Sequence, residues 1–440
     1  MWAFLPNRAN WARWLGLILL LMAAAQIVFE GPRWQIYPAY GLACLFGFIF
    51  LFGLPVRSLF ALPLGILTLI SASLPAVFPI PHLPHPTGPY QVGTLTYEWM
   101  DASRPEIYTD DPNDRRALMV QIWYPAKPTP GAIPAAYIPD ARALQPLAQL
   151  LHLPTFTLNH LTYARGNAIP SASVADAQPK YPVLIFSHGR GGYRQHNTWE
   201  IEELVSHGYI VAAIDHTYAA SGVLFPDGRL VPMDARMTER GFINSVIPYL
   251  AQDASFVLNQ LIAINRVDPN GILAGRLDTE RVGIFGLSLG GSTSSQACHD
   301  DLRFKACVVM DVWMVGDVLR DGVKQPTLFL TRDAASMKQE GWTQADIDET
   351  LNTMQAVYEK LPGDGYFVQV PGMFHTDFSD APLLSPLTRT IGLTGPIDPA
   401  RAHAITSKYT LEFFDRYLSN KPAPLLDGKI DFPEVIFRKR

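Results

Sequence analysis

Three apolar runs fill the first 80 residues, at 14–29, 36–54 and 58–78, and none of them contains a charged residue. Each is long enough to cross, or nearly cross, a hydrocarbon core of roughly 30 Å as a helix. A cleavable signal peptide could account for the first run, because Arg8 and Arg13 precede it and Ala23, Ala24 and Ala25 suit a cleavage site. The second and third runs have no such explanation. The pattern therefore predicts a three-span transmembrane region over residues 1–80. Arg8, Arg13 and Arg57 would lie on one side, and Arg33 with Glu30 on the other. The positive-inside rule then puts the N-terminus in the cytoplasm, with everything after residue 80 outside an inner or plasma membrane.

Beyond the runs, "PIPHLPHPTGP" (79–89) reads as a stiff, extended connector, and a linker is expected over 81–95. Short apolar segments then alternate with longer amphipathic ones through 96–440. Among them are "YPVLIFSHG", "NTWEIEELVSHG", "YIVAAID", "RVGIFGLS", "FKACVVMD", "QPTLFLTR" and "YFVQV". This alternation predicts an α/β domain, a mostly parallel sheet with helices on both faces. Its ligand cleft should lie at the carboxyl ends of the strands.

The net charge of −5 is not that of a nucleic-acid-binding chain, and no Lys or Arg run forms a basic stripe. Cys44 sits in an apolar run, and Cys298 and Cys307 alone do not make a disulfide framework. With no CxxC or clustered Cys/His spacing, neither a metal nor a cofactor is expected.

Chemistry enters with "VGIFGLSLGGSTSS" (282–295), where Gly286, Ser288 and Gly290 form G-x-S-x-G between a strand-like and a helix-like segment. A nucleophile elbow wants glycine at both flanking positions, since side chains there would collide across a sharp strand-to-helix turn. The spacing arises by chance in about one chain in six or seven of this length, so partners must decide. Three histidines follow Ser288. His299 is expected to solvate a helix end and His403 to lie on the surface of a C-terminal helix. His375 follows "YFVQV" in a loop, the place for the base. Two aspartates compete as its orienting acid: Asp333 ends "TLFLTRD", and Asp311 ends "ACVVMD". Strand position alone does not separate them. Asp377 is expected to be structural. The oxyanion hole needs two backbone N–H groups. Leu289 would supply one, and Gly189 or Arg190 in "FSHGRGG" (186–192) the other.

Taken together, "TGPYQVG" (87–93), "WYPA" (123–126), "FSHGRGGYR" (186–194), "LVSHGYIVAAIDH" (204–216), "GLSLGG" (286–291), "RFKACVVMDVWM" (303–314) and "GMFHTDF" (372–378) resemble the plasma-type platelet-activating factor acetylhydrolase family, the group VII phospholipases A2. The resemblance implies an α/β-hydrolase fold and no metal. It implies a triad of Ser288, Asp311 and His375, because the family's acid lies in the D-x-W-M segment, here Asp311-Val312-Trp313-Met314. It also matches Leu289 and Arg190 to the oxyanion donors. Where the family has histidine before the serine and phenylalanine after it, this chain has Leu287 and Leu289, which alters the expected acyl pocket. The membrane runs lie outside the resemblance.

The resulting expectation is a membrane-anchored serine esterase for short-acyl lipid esters. A general carboxylesterase or polyester hydrolase is the rival enzyme reading. A non-catalytic domain that binds a ligand or partner is the rival from another class.

Overall fold

A parallel strand buried on both faces should read as an unbroken apolar run, and "YPVLIFS" and "VGIFGL" are such runs. The computed structural model describes residues 12–54 and 58–440. Its strands are β1 (Gln91–Pro105), β2 (Arg115–Ala126), β3 (Ile169–Pro170), β4 (Tyr181–Ser187), β5 (Ile210–Asp215) and β6 (Gly222–Leu224). They continue with β7 (Leu230–Pro232), β8 (Leu277–Leu287), β9 (Phe304–Met310), β10 (Thr327–Thr331), β11 (Gly365–Gln369) and β12 (Ile436–Lys439). Apart from the small β6–β7 hairpin, they form one sheet in the order β12-β11-β10-β9-β8-β4-β5-β2-β1-β3. From β11 to β5 all neighbours are parallel. Antiparallel β12 and β2 flank that block.

The pleat sorts successive side chains to opposite faces. Val183, Ile185, Ile284 and Val309 face one core, and Leu184, Phe186, Phe285 and Val308 the other. Helix α5 (Arg240–Arg266) covers the first face through Ala254, Val257, Leu258 and Leu261, which recur at helical spacing. Helix α8 (Pro399–Ser419) covers the second through Ile405, Tyr409, Phe413 and Phe414. The other long helices are α1 (Ala12–Glu30), α2 (Tyr37–Phe52), α3 (Ala61–Val77), α4 (Thr198–Ser206), α6 (Leu289–Asp300) and α7 (Gln344–Lys360).

Two N-terminal stretches, Arg13–Glu30 and Trp34–Phe52, are helices long and apolar enough to cross a membrane. The third run forms the shorter apolar helix Ala61–Val77. Of the arginines behind the expected orientation, Arg8 and Arg57 lie outside the described residues. The helical region is joined to the rest of the chain by specific contacts. The Trp34 indole donates to the Thr157 carbonyl at 3.1 Å and packs against Phe78, Phe156 and His160. Tyr163 donates to the Pro32 carbonyl, and Ser385 to that of Val77.

Three expectations are corrected. The connector is shorter than 81–95, because β1 already pairs with β2 from Gln91 onward. Cys298 and Cys307 are joined in a disulfide: α6 lies against β9, bringing together two cysteines whose number alone suggested no framework. His403 is buried, stacked on Trp199 of α4 with ring centroids 3.9 Å apart.

Candidate active site

The strand β8 ends in the heart of the sheet, and α6 starts two residues later. Between them Ser288 adopts φ 57 and ψ −126, a backbone conformation that L residues rarely adopt. Both flanking glycines are sterically required. A Cβ on Gly290 would strike the Ser187 carbonyl of β4, and one on Gly286 would strike the Gly290 carbonyl. The Ser288 N–H donates to the Met310 carbonyl at 2.8 Å, so the serine sits beside the end of β9.

Asp311 is the next residue after β9, also at positive φ (45). It is 1% exposed, and every group bonded to its carboxylate is placed to donate. His375 Nδ1 lies 2.6 Å from Oδ2, Arg332 Nε donates to that same oxygen at 2.8 Å, and Thr331 Oγ1 donates to Oδ1 at 2.7 Å. Burial by itself would raise the carboxyl pKa. Arg332, His375 and Thr331 outweigh it and hold Asp311 well below the usual carboxylate range, so it stays ionised. The bond to Asp311 places a proton on Nδ1 of neutral His375 and leaves Nε2 as the free base. Among the described residues, the Ser288 hydroxyl makes no hydrogen bond, so the acid–base half of the arrangement is the half already formed.

Asp333, the rival acid, is used otherwise: it caps the short helix Ala334–Gln339 by accepting from the Ser336 N–H at 3.1 Å. His299 closes α6 and pairs with Asp300, away from the serine. Asp377 accepts from the N–H groups of Phe374 (2.6 Å) and Gly395 (2.7 Å), which shapes the loop that carries His375. The expectations for His299 and Asp377 agree with that geometry.

Leu289 follows the serine in the chain, and Arg190 follows Gly189, whose backbone lies close to Ser288. Among the described residues, neither backbone N–H donates to a carbonyl or side chain of the chain. A Cβ built on neighbouring Gly189 would stand 3.3 Å from Ser288 Cβ and 3.9 Å from its Oγ, so the "HGRGG" loop lies directly over the nucleophile position. A cleft of about 400 Å³ opens beside it, lined by Arg190, Arg240, Ile243, Trp313, Trp342 and Thr343 among others.

Sequence reasoning missed Arg332 and Glu340. The fully buried Arg332 pairs with Glu340, lies 4.2 Å over the Trp342 ring, and bonds Asp311. Glu340 also accepts from the His375 N–H at 3.0 Å. The available signal was a cation placed immediately after the apolar strand "TLFLT".

The chain has relatives among known proteins. The sequence model of the family platelet-activating factor acetylhydrolase, isoform II, matches residues 76–225 and 265–428. The platelet-activating factor acetylhydrolase of Cavia porcellus is 27% identical over 369 residues, covering 76% of this chain and 78% of that protein. A probable 1-alkyl-2-acetylglycerophosphocholine esterase of Arthroderma benhamiae is 27% identical over 399 residues, covering 84% of this chain and 96% of that protein. Among solved structures, ferulic acid esterase from Streptomyces cinnamoneus superposes with a TM-score of 0.65 at 29% identity, over 81% of this chain and 99% of its own. With its family match spanning well over half of its length, the chain belongs to the platelet-activating factor acetylhydrolase, isoform II, family.

Proposed function

We propose that this carboxylic ester hydrolase is a membrane-anchored serine esterase of the α/β-hydrolase fold, acting on short-acyl lipid esters through Ser288, His375 and Asp311. The observation that carries the reading is the positive-φ elbow of Ser288 beside the bonded pair Asp311–His375.

Ser288 Oγ attacks the ester carbonyl while His375 Nε2 takes its proton. The carbonyl oxygen becomes an oxyanion held by the N–H groups of Leu289 and Arg190. His375, now an imidazolium stabilised by Asp311, returns the proton to the departing alcohol and leaves an acyl-serine. Water repeats the sequence: His375 deprotonates it, the acid leaves, and Ser288 recovers its proton. Asp311 stays ionised throughout, consistent with its depressed pKa.

A lipid substrate fits the apolar helices Arg13–Glu30 and Trp34–Phe52, which would anchor the chain beside its substrate. The Cys298–Cys307 disulfide supports an extracytoplasmic catalytic domain, since such bonds persist in oxidising compartments. A broader carboxylesterase reading has one observation of its own. Trp313 and Trp342 line the cleft, and aromatic walls suit an aromatic acyl group.

The test uses the purified full chain. A fluorophosphonate probe should label Ser288, and the Ser288→Ala variant should fold, escape labelling and lose about three or more powers of ten in ester turnover. Phosphatidylcholine with sn-2 acetyl should be cleaved in preference to sn-2 palmitoyl. An active, folded Ser288→Ala protein overturns the catalytic reading. Preference for simple alkyl esters of aromatic acids over both lipids overturns the lipid assignment alone.

A further inference from the structure

Beneath the oxyanion loop lies a second serine–histidine–aspartate set. His216 Nδ1 is 2.8 Å from Asp253 Oδ2, and His216 Nε2 is 3.1 Å from Ser187 Oγ. Asp253 is also bonded by Arg116 (2.6 and 3.0 Å) and Arg104 (2.7 Å). Ser187 and Asp253 are wholly inaccessible, so no substrate reaches this hydroxyl. Catalysis at Ser187 is excluded, which leaves the question of what a buried relay does one residue before the loop that covers Ser288.

Its second branch gives the answer. The His216 backbone N–H donates to His188 Nε2 at 3.1 Å. A nitrogen that accepts carries no proton, so the proton of neutral His188 is on Nδ1. Burial, and then the neighbouring His216, hold its pKa well below the usual histidine range, so the ring stays neutral. His188 Nδ1–H therefore donates to the oxygen 2.7 Å away, the carbonyl of Gly189. Gly192 N–H donates to that same carbonyl at 2.9 Å.

The Gly189 carbonyl and the Arg190 N–H belong to one planar trans peptide and point in opposite directions. Pinning the oxygen therefore aims the N–H. The loop needs the pin, because glycines at 189, 191 and 192 leave this peptide little resistance to flipping. We propose that His188, held in its Nδ1–H tautomer by His216, is a positioning residue that orients the Gly189–Arg190 peptide so that its N–H faces the oxyanion at Ser288. The inference rests on the reading that the Arg190 N–H binds that oxyanion.

The test compares His188→Asn, His188→Gln and His188→Leu with the wild type on p-nitrophenyl acetate, alongside inhibition by an alkyl trifluoromethyl ketone, whose serine adduct carries an oxyanion. Asn places an amide N–H near the Nδ1 position, Gln near Nε2, and Leu has no donor. His188→Leu and His188→Gln should lose about 10- to 100-fold in kcat, with KM within about threefold. The ketone should bind more weakly by the same factor, and His188→Asn should stay within about fivefold of wild type. Three outcomes overturn the inference: a folded His188→Leu within about threefold of wild-type kcat, unchanged ketone affinity beside a fallen kcat, or Asn no better than Gln. If His188→Leu fails to fold, the Asn–Gln comparison decides. A wild-type chain that neither turns over the ester nor takes a fluorophosphonate label instead removes the underlying esterase reading.

Discussion

Asp311→Asn removes one charge from the centre of the site while preserving its shape. An amide that turns its NH2 toward the histidine imposes the wrong tautomer, and that costs about 10⁴-fold. The donors around Asp311 argue against such an orientation here. Oδ2 faces an obligatory donor, Arg332 Nε, beside His375 Nδ1, whereas Oδ1 faces only the Thr331 hydroxyl, which can rotate to accept. The Asn oxygen should therefore take the Oδ2 place and keep His375 in its working tautomer. What remains is the lost attraction between a carboxylate and the imidazolium. At about 4 Å and an effective dielectric of about 20, it amounts to about 4 kcal/mol, or about 10³-fold in kcat. The assay is kcat on p-nitrophenyl acetate, with circular dichroism to establish folding and nitrogen NMR to read the His375 tautomer. Asp333→Asn is the internal control. Asn caps a helix as well as Asp does, so its kcat should stay within about twofold. A folded Asp311→Asn enzyme within tenfold of wild type, or an inactive Asp333→Asn enzyme, would refute the assignment of the acid. A loss of 10⁴ or more with an Nε2–H tautomer would refute the orientation argument.

Gly290→Ala should abolish turnover by more than about 10³-fold, because the new Cβ meets the Ser187 carbonyl; wild-type kinetics in a folded variant would show that the elbow can relax. Glu200 is fully buried, and burial, opposed by Asn197 and Thr410, raises its pKa to about 7. With a folded value above the unfolded one of about 4.3, its contribution is fully present at low pH and lost as pH rises through about 7. The Tm difference between Glu200→Gln and wild type should therefore move in the variant's favour as pH rises from about 4.3 through about 7; parallel profiles would count against the shift. Ser173→Cys in a Cys44→Ser background should react with an impermeant thiol reagent in intact cells, or in spheroplasts if an outer membrane is present. Protection until the membrane is broken would reverse the proposed topology.

Ser288 and His375 were legible in the sequence because local backbone rules announce them: glycines two residues either side of a serine, and a histidine in the loop after a late strand. Asp311 was ambiguous because two aspartates end consecutive strands, and only three-dimensional placement shows that Asp333 is occupied by a helix end. Arg332 gave no periodic signal, since a buried cation is set by partners, Asp311 and Glu340, that come from other segments. His403 was misplaced for a similar reason. The spacing of α8 marks its main apolar stripe, but the ring covering His403 belongs to Trp199 on a different helix. The disulfide depends on a helix-to-strand approach that counting cysteines does not reveal. The parallel core followed from alternation, whereas the strand order and the antiparallel edges did not.

The junction at Trp34 changes how such an enzyme would meet its substrate. Its indole is bonded to Thr157 and wedged among Phe78, Phe156 and His160, while Tyr163 and Ser385 fasten the neighbouring turns. Were α1 and α2 to lie in a bilayer, these contacts would hold the catalytic body against its anchor in place of a swinging tether. Its search for substrate would then be lateral diffusion in two dimensions. Turnover would then follow the mole fraction of ester in the leaflet, and diluting the surface with inert lipid would slow the enzyme even when the total ester in the tube is unchanged.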